Sequence, residues 1–526
     1  MKKNLLIYIV ALIFMSVSCT KTALDKAPLD KYSDENVWKD VSLTNLFINS
    51  IYANMHTIYD DAGDWLMGCI TDEAEAGRTF VASQQINTGE YSAADNIYSE
   101  YYTDGFANIR KCNLLLQNLP KVPASDDVKK RMRGEAFFHR AFASIDIYMR
   151  FGRFPIVDKV LTLNDESTIP RGKDEDCVKF MLSDLDSAIN LLPQSYTSAT
   201  DKGRATKGAA YAIKSRLLLN LERYQEASDA AEEVMKLGYS LFPNYQTLFN
   251  PENDNNSEII FDKQFGSEQS GQVHDLDLYE NSSYFTGFSS GITCPTQNLV
   301  DAFEMTDGLP WNESPLYNPQ KPYENKDPRF YATVMYDGAE WMGKTIDMKK
   351  GSLFNKSSGS GSAPTNYFMR KFLNPKYDFQ TGNNPNYQNA PIIRLAEIYL
   401  IYAECQFQLG HADVALTYVN KIRERVNMPD IMPAKFTFQS IMHEREVELA
   451  LEGQRWFDIK RWKKGSELIG TDIYGMDITD AAGVRSYKRF LVETRVFDPK
   501  MYLFPIPLSE INKYPASKPL EQNPGW

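Results

Sequence analysis

IRLAEIYLIYAECQFQLGHADVALTYVNKIRERV, residues 393–426, reads as two helices joined by a tight turn. Ala396, Tyr399, Ala403 and Phe407 recur on one face at helical spacing. Gly410-His411 interrupts the run, and Ala415, Leu416, Val419 and Ile422 resume it. Residues 209–238 repeat the arrangement. Ala212, Leu218 and Leu219 precede a turn at Glu222-Arg223, and Ala227, Ala230, Ala231 and Val234 follow it. Leu221 corresponds to Leu409 and Ala227 to Ala415 at one constant offset. Alanines facing a partner helix allow close approach, as in tetratricopeptide hairpins. Such a hairpin needs neighbours to bury its faces. The expected fold class is therefore mainly α, a superhelix of tetratricopeptide-like helix hairpins with a loop-rich, small-strand insert region.

Outward from these hairpins, further helices are predicted. One starts near Val41, with Leu43, Leu46, Phe47, Ser50 and Ile51 on one face. Another runs from about Ile97 to Leu119, where Pro120 stops it, and a third from about Val128 to Phe151 with Ala136, Phe137, Arg140, Ala141 and Tyr148. A fourth spans about Glu175 to Leu192, carries Val178, Met181, Leu185 and Ile189, and ends at Pro193. The scaffold is thus expected over 41–249 and 389–465. Residues 250–388 are rich in Gly, Ser, Asn, Pro and aromatics. Only short runs such as Glu258 to Phe261 and Phe330 to Tyr336 suggest strands there. The stretch from about Gly470 is again irregular and proline-rich. Loops of such length in a compact protein are usually functional, so 250–388 and 466–526 form the expected ligand-binding region.

The N-terminus carries Lys2 and Lys3, then an apolar run from Leu5 to Val17 too short to span a bilayer comfortably. It ends in Ser16-Val17-Ser18-Cys19, which looks like a bacterial lipobox despite Ser16 standing where Leu is usual. The reading is a signal peptide over 1–18, lipidation (palmitate) at Cys19 and a tether over 19–40. The alternative is an ordinary signal peptide with an incidental cysteine. The other five cysteines are widely spaced without a C-x-x-C pair, which argues against a disulfide framework or zinc site. The five histidines are scattered, so no metal and no cofactor is expected. A hydrophobic fraction of 43% and a charged fraction of 24% are those of a folded protein, and a net charge of −12 argues against nucleic acid as a partner.

Pieces along nearly the whole chain resemble the SusD/RagB family of nutrient-binding outer-membrane lipoproteins. They include Thr71-Asp72-Glu73, Arg140-Ala141 with Tyr148 and Phe151-Gly152, the run Leu299 to Met305 with Asp307-Gly308, and Asp327-Pro328-Arg329-Phe330. C-terminal pieces are the strongest: Arg394 to Leu400 with Ala403-Glu404, Glu444-Arg445-Glu446, Glu452 to Asp458, Leu503 to Pro507, and Gln522 to Trp526. The resemblance implies a cell-surface lipoprotein that binds oligosaccharide or peptide without cleaving it. It also implies delivery to a SusC-like TonB-dependent transporter in the outer membrane. Thr20-Lys21-Thr22 replaces the acidic run that often follows the lipidated cysteine in surface-exported relatives.

Several motifs carry competing readings. Residues 441–464 read as one charged helix, pairing Glu448 with Glu452, Glu452 with Arg455, and Asp458 with Arg461. This fits a structural lock better than an active site. Residues 338–345, GAEWMGKT, satisfy the letter of a phosphate-binding loop, but bulky Trp341 and the lack of a following helix argue against one. His443-Glu444 begins a zinc-protease pattern that Val447 breaks. A sugar platform needs aromatic faces for C–H stacking and polar groups for hydroxyls. Two loops offer both. One holds Arg78, Phe80, Gln84 and Tyr91. The other holds Asp277, Tyr279, Asn281, Tyr284, Phe285 and Phe288, with Trp311 further on. Such aromatics equally serve to pack loops onto a body. The rival functions are a glycoside hydrolase using two carboxylates and a structural helical-repeat adaptor.

Overall fold

The computed structural model describes residues 34–59, 66–77, 82–162, 168–266, 273–287, 291–355, 363–379 and 386–526. Cys19, the signal segment and most of the expected tether lie outside them. Trp38 is already buried against Phe47, so the folded body begins before residue 41. The scaffold helices are α1 (Val41–Ala53), α2 (Ser99–Asn118), α3 (Asp126–Phe151), α4 (Asp174–Leu191), α5 (Lys207–Asn220) and α6 (Tyr224–Met235). After the loop-rich region come α7 (Leu395–Gln408), α8 (Ala412–Arg425), α9 (Phe438–Glu448) and α10 (Arg455–Arg461). Side chains satisfy the first free amides of several of them. Asp40 accepts from Leu43, Ser125 from Val128 and Thr206 from Ala209. Asp174, Glu175 and Asp176 place negative charge at the start of α4, complementing its dipole.

Successive helices pack in sequence order from α2 to α8, the superhelix that the repeats predict. Ala227, Ala231 and Ala415 are fully buried where the hairpins close. Both hairpins turn alike. Arg223 N–H donates to Leu218 O and His411 N–H to Gln406 O, with Glu222 at φ 56° and Gly410 at φ +88°. Only glycine adopts that backbone without strain.

Among the described residues five two-stranded antiparallel ribbons tie the loops down: β1 (Ala74–Ala76) with β3 (Thr293–Pro295), β2 (Ile259–Lys263) with β8 (Ala390–Arg394), β4 (Val334–Met335) with β7 (Phe368–Met369), β5 (Glu340–Trp341) with β6 (Lys344–Thr345), and β9 (Asp472–Ala481) with β10 (Val484–Thr494). Three expectations are corrected. The run Phe330 to Tyr336 is mostly the helix Pro328–Thr333, because Asp327 caps Arg329 N–H and Pro328 sits where a missing N–H costs nothing. The C-terminal stretch contains the longest ribbon, turning at Ala482-Gly483, both at positive φ, and burying Ile473, Met476 and Ile478. Residues 441–464 are two helices, α9 and α10, separated where Leu451 takes φ 62° and gives its N–H to Glu73 Oε1 at 3.1 Å.

The charges around that break form a buried network. Arg329 reaches Glu448 at 3.1 Å, Arg394 at 2.6 Å and Arg425 at 2.5 Å. Arg394 also holds Glu258 and Glu452, Arg329 holds Asp327 and Glu444, and Arg423 joins Glu444 to Glu304. Asp458 pairs with Arg461 as expected. Glu452, however, turns to Arg394 and Lys371, while Arg455 holds Asp72 and Glu446. Glu444 and Asp72 are therefore structural anchors, and His443 Nε2 donates to Ala302 O.

Two outcomes are expected. Gly410→Ala meets no atom within 4 Å, so its cost of about 1 kcal/mol comes from φ alone and is read by urea unfolding. Glu448→Gln leaves three buried arginines short of charge and costs about 3–5 kcal/mol near neutral pH. The three guanidiniums hold the Glu448 carboxyl far below its ordinary 4.5. Its contribution is therefore complete above pH 4.5 and lost as pH falls, so the gap between wild type and variant narrows in acid.

Candidate ligand-binding site

The expected site residues separate into four groups. Arg78, Phe80 and Phe288 lie outside the described residues. Tyr91 is 5% exposed and its ring packs on Trp526 at 4.6 Å, so it belongs to the core and not to a binding surface. Trp311 is partly exposed but pairs with Tyr317 at 5.1 Å, and among the described residues no ring contact joins it to the group around Tyr284. Tyr279 and Tyr284 lie in one loop segment, 273–287, where Tyr284 meets Phe285.

That segment rests on Asp277. The segment 273–287 forms two short helices, Leu276–Glu280 and Ser283–Thr286, too short to hold themselves. Fully buried Asp277 accepts from Asn281 Nδ2 at 3.0 Å, Asn374 N at 2.9 Å and Asn386 Nδ2 at 2.5 Å, and gives its own N–H to Asn386 Oδ1 at 3.0 Å. Asn281 Oδ1 in turn accepts from Trp341 Nε1 at 2.8 Å, and Ser282 Oγ donates to Phe354 O at 2.9 Å. Three chain segments remote in sequence are thus pinned to one point. Asp277 and Asn281, expected as sugar contacts, are instead the frame beneath the surface. Burial pushes the Asp277 carboxyl up to about 7, because no cation stands against it.

On this frame lies a chain of rings. Tyr284 meets Phe354 at 4.3 Å and Phe285 at 5.1 Å, Phe285 approaches Phe379 at 6.5 Å, and Phe379 meets Tyr377 at 4.6 Å. Tyr284 is 36% exposed, whereas Phe354 beneath it is buried. Such a surface offers an apolar face for a ligand with C–H faces, with hydroxyl and carbonyl groups at its rim. Phe354, Tyr377 and Phe379 were not singled out from the sequence. Their signal, aromatics within a Gly/Ser/Asn/Pro-rich stretch, is the one that marked Tyr284.

The phosphate-loop letters prove to be β5, a turn at Met342-Gly343 and β6, and no helix begins in residues 346–355. Trp341 is buried where a cradle would need open backbone. The cysteines at 69, 112, 177, 294 and 405 are buried and free. Among the described residues no cluster of His, Cys, Asp and Glu is placed to hold a metal ion.

Residues 257–526 match the SusD family. The chain belongs to that family. Residues 24–219 also match a family described as starch-binding and associating with outer membrane. A SusD-like protein from Bacteroides fragilis superposes with TM-score 0.84 at 32% identity, covering 95% of this chain and 100% of its own. A SusD-like protein from Formosa agariphila is 25% identical over 500 residues, 88% of this chain and 90% of its own. The starch-binding protein SusD of Bacteroides thetaiotaomicron is 25% identical over 365 residues, 62% of this chain and 61% of its own. Within the SusD fold of this chain, the Asp277 frame is testable by itself. Asp277→Asn sets an amide donor against the Asn386 amide and is expected to cost about 1–3 kcal/mol. Hydrogen exchange should quicken in 273–287. Because burial favours the protonated carboxyl, the wild-type frame is firmest in acid and loosens as pH rises through about 7.

Proposed function

We propose that this chain is an outer-membrane lipoprotein that binds oligosaccharide on the Tyr284 platform and is not an enzyme. It is anchored through Cys19, faces the outside, and hands its ligand to a SusC-like TonB-dependent transporter. The observation that carries the reading is the ring chain, exposed at Tyr284 and held by the Asp277 bonds: a preorganised apolar surface, which binds without first ordering a loop. The match of residues 24–219 to a starch-binding, outer-membrane-associating family supports carbohydrate as the ligand class, as does the name of the starch-binding relative. A peptide ligand is the second form of the same reading, since aromatic surfaces also take peptide side chains.

Protein lacking residues through Cys19 is the material for the test. Calorimetry should detect oligosaccharide binding, and chromatography after prolonged incubation should recover the saccharide intact. Cleavage that disappears on a single Asp or Glu substitution would replace binder with hydrolase. Tyr284→Ala removes stacking area and is expected to lower affinity tenfold to hundredfold, about 1–3 kcal/mol, with little change in Tm. Trp456→Ala should do the opposite. Trp456 is 1% exposed and stacks on Phe504 at 5.3 Å, so truncation costs about 3–5 kcal/mol of stability without touching the platform. For anchoring, Cys19→Ala should abolish palmitate labelling and release the protein from the envelope, and unchanged labelling would remove the lipid anchor from the proposal.

A further inference from the structure

Beside the platform frame lies a pocket of about 130 Å³ between the single turn Tyr245–Thr247, Trp341 and residues 370–375. Among the described residues no acidic one lines it, and two cations do, Arg370 and Lys371. That is unusual in a chain of net charge −12. Most buried arginines elsewhere in this molecule meet carboxylates: Arg329, Arg394, Arg423, Arg445, Arg455 and Arg495 each hold at least one, and Arg171 donates instead to the carbonyls of Phe151 and Arg153 and to Asn523 Oδ1. Lys371 follows the same rule through Glu452 at 2.7 Å and is further held by Tyr245 Oη at 2.9 Å and Ala450 O at 2.8 Å.

Arg370 does not. Among the described residues its guanidinium makes no hydrogen bond and no ion pair, and it stands 5.2 Å from the centroid of the Trp341 ring. Its backbone is fixed, since its N–H donates to Thr333 O at 2.9 Å, directly after β7. Trp341 is fixed through Asn281. Burial draws the Arg370 guanidinium below the usual arginine range with no carboxylate to offset it. Five donors in a planar fork, held over an aromatic ring in a partly buried pocket, match an oxyanion with two or three oxygens. The pocket also adjoins the platform along the chain. Pro375 lines it, and Tyr377 and Phe379 follow within the ring chain.

We propose that this pocket takes the anionic substituent of an acidic saccharide, a uronic-acid carboxylate or a sulfate ester, with Arg370 as its fork donor and Trp341 as the wall beneath. The volume suits one such group, while the neighbouring rings carry the sugar. The inference rests on carbohydrate being the ligand class, and the experiment separates the two.

The probes are oligogalacturonate, a sulfated galactan oligosaccharide and its desulfated counterpart, titrated calorimetrically into protein lacking residues through Cys19. At least one acidic probe should bind about tenfold or more tighter than the neutral one, with an advantage that shrinks as salt rises. Which acidic probe gains identifies carboxylate or sulfate as the source. Arg370→Met keeps the aliphatic stem on Trp341 and should erase the advantage, leaving the neutral affinity and Tm unchanged. Arg370→Lys, which keeps charge without the fork, should retain only part of it and serves if the methionine variant folds poorly. Equal binding of acidic and neutral probes overturns the anion pocket while sparing the platform, as does an advantage that survives Arg370→Met. Failure of every saccharide to bind overturns the platform and the pocket together.

Discussion

Glu448 is the point on which the rest of this structure depends. One carboxylate receives three arginines from three places: Arg329 from the loop-rich region, Arg394 from the end of β8, and Arg425 from the last turn of α8. Each charge alone would be too costly to bury. Together they are tolerable because nearly every donor and acceptor finds its partner, Arg425 Nε being the exception among these groups. Geometry therefore matters more here than attraction. An arrangement in which the loop region docks even slightly wrongly onto the helices leaves an unmatched charge in the interior. An apolar contact at the same place would tolerate sliding. The network consequently fixes the register between scaffold and loops, and Asp72 with Arg455 extends the same constraint to the segment that follows α1.

The binding surface is held by a different device. Asp277 has no cation beside it, and amides rather than guanidiniums fill its oxygens. The two devices respond to pH in opposite senses. Glu448 needs its charge, and Asp277 is buried more easily without it. The separation has a structural consequence. Because polar bonds beneath the surface hold the loops in place, the rings above need not supply their packing. Tyr284 can remain exposed without being lost to the core. Phe354 gives it a floor, and that floor is itself pinned through Ser282.

The helical scaffold was legible because periodicity survives tertiary packing. The hairpins at 209–238 and 393–426 turn where Glu222 and Gly410 take positive φ, and the alanines that close them are buried. Where sequence reading failed, a local signal outweighed pattern. Asp327-Pro328 starts a helix that hydrophobic content had suggested as strand, and Gly453 with Leu451 breaks a charged run that was continuous on paper. At the site, residue type alone misled. Asp277, Asn281 and Tyr91 have the chemistry of sugar contacts, but a buried network or an aromatic core uses the same groups. Only position distinguishes them. The loop carrying Tyr279 and Tyr284 was identified, whereas Phe354, Tyr377 and Phe379 come from segments brought there by the Asp277 bonds, which no spacing encodes.

Stacking and charge also divide the work of recognition. A ring chain accepts the apolar face of almost any pyranose, so it supplies affinity with little choice among sugars. Discrimination comes from polar groups that are left unsatisfied by the wrong ligand. On this chain the carboxylate and amides of the Asp277 frame are satisfied by one another and by Trp341, and have little left to offer a ligand. Selectivity must then come from the rim or from a neighbouring group whose bonding is incomplete. A molecule that finds at least one acceptor, most often a carboxylate, for each of its buried arginines among the described residues makes an unmatched guanidinium informative in a way that a surface lysine would not be. The same pairing that locks the scaffold through Glu448 is what sets Arg370 apart as a group whose partner comes from outside the chain.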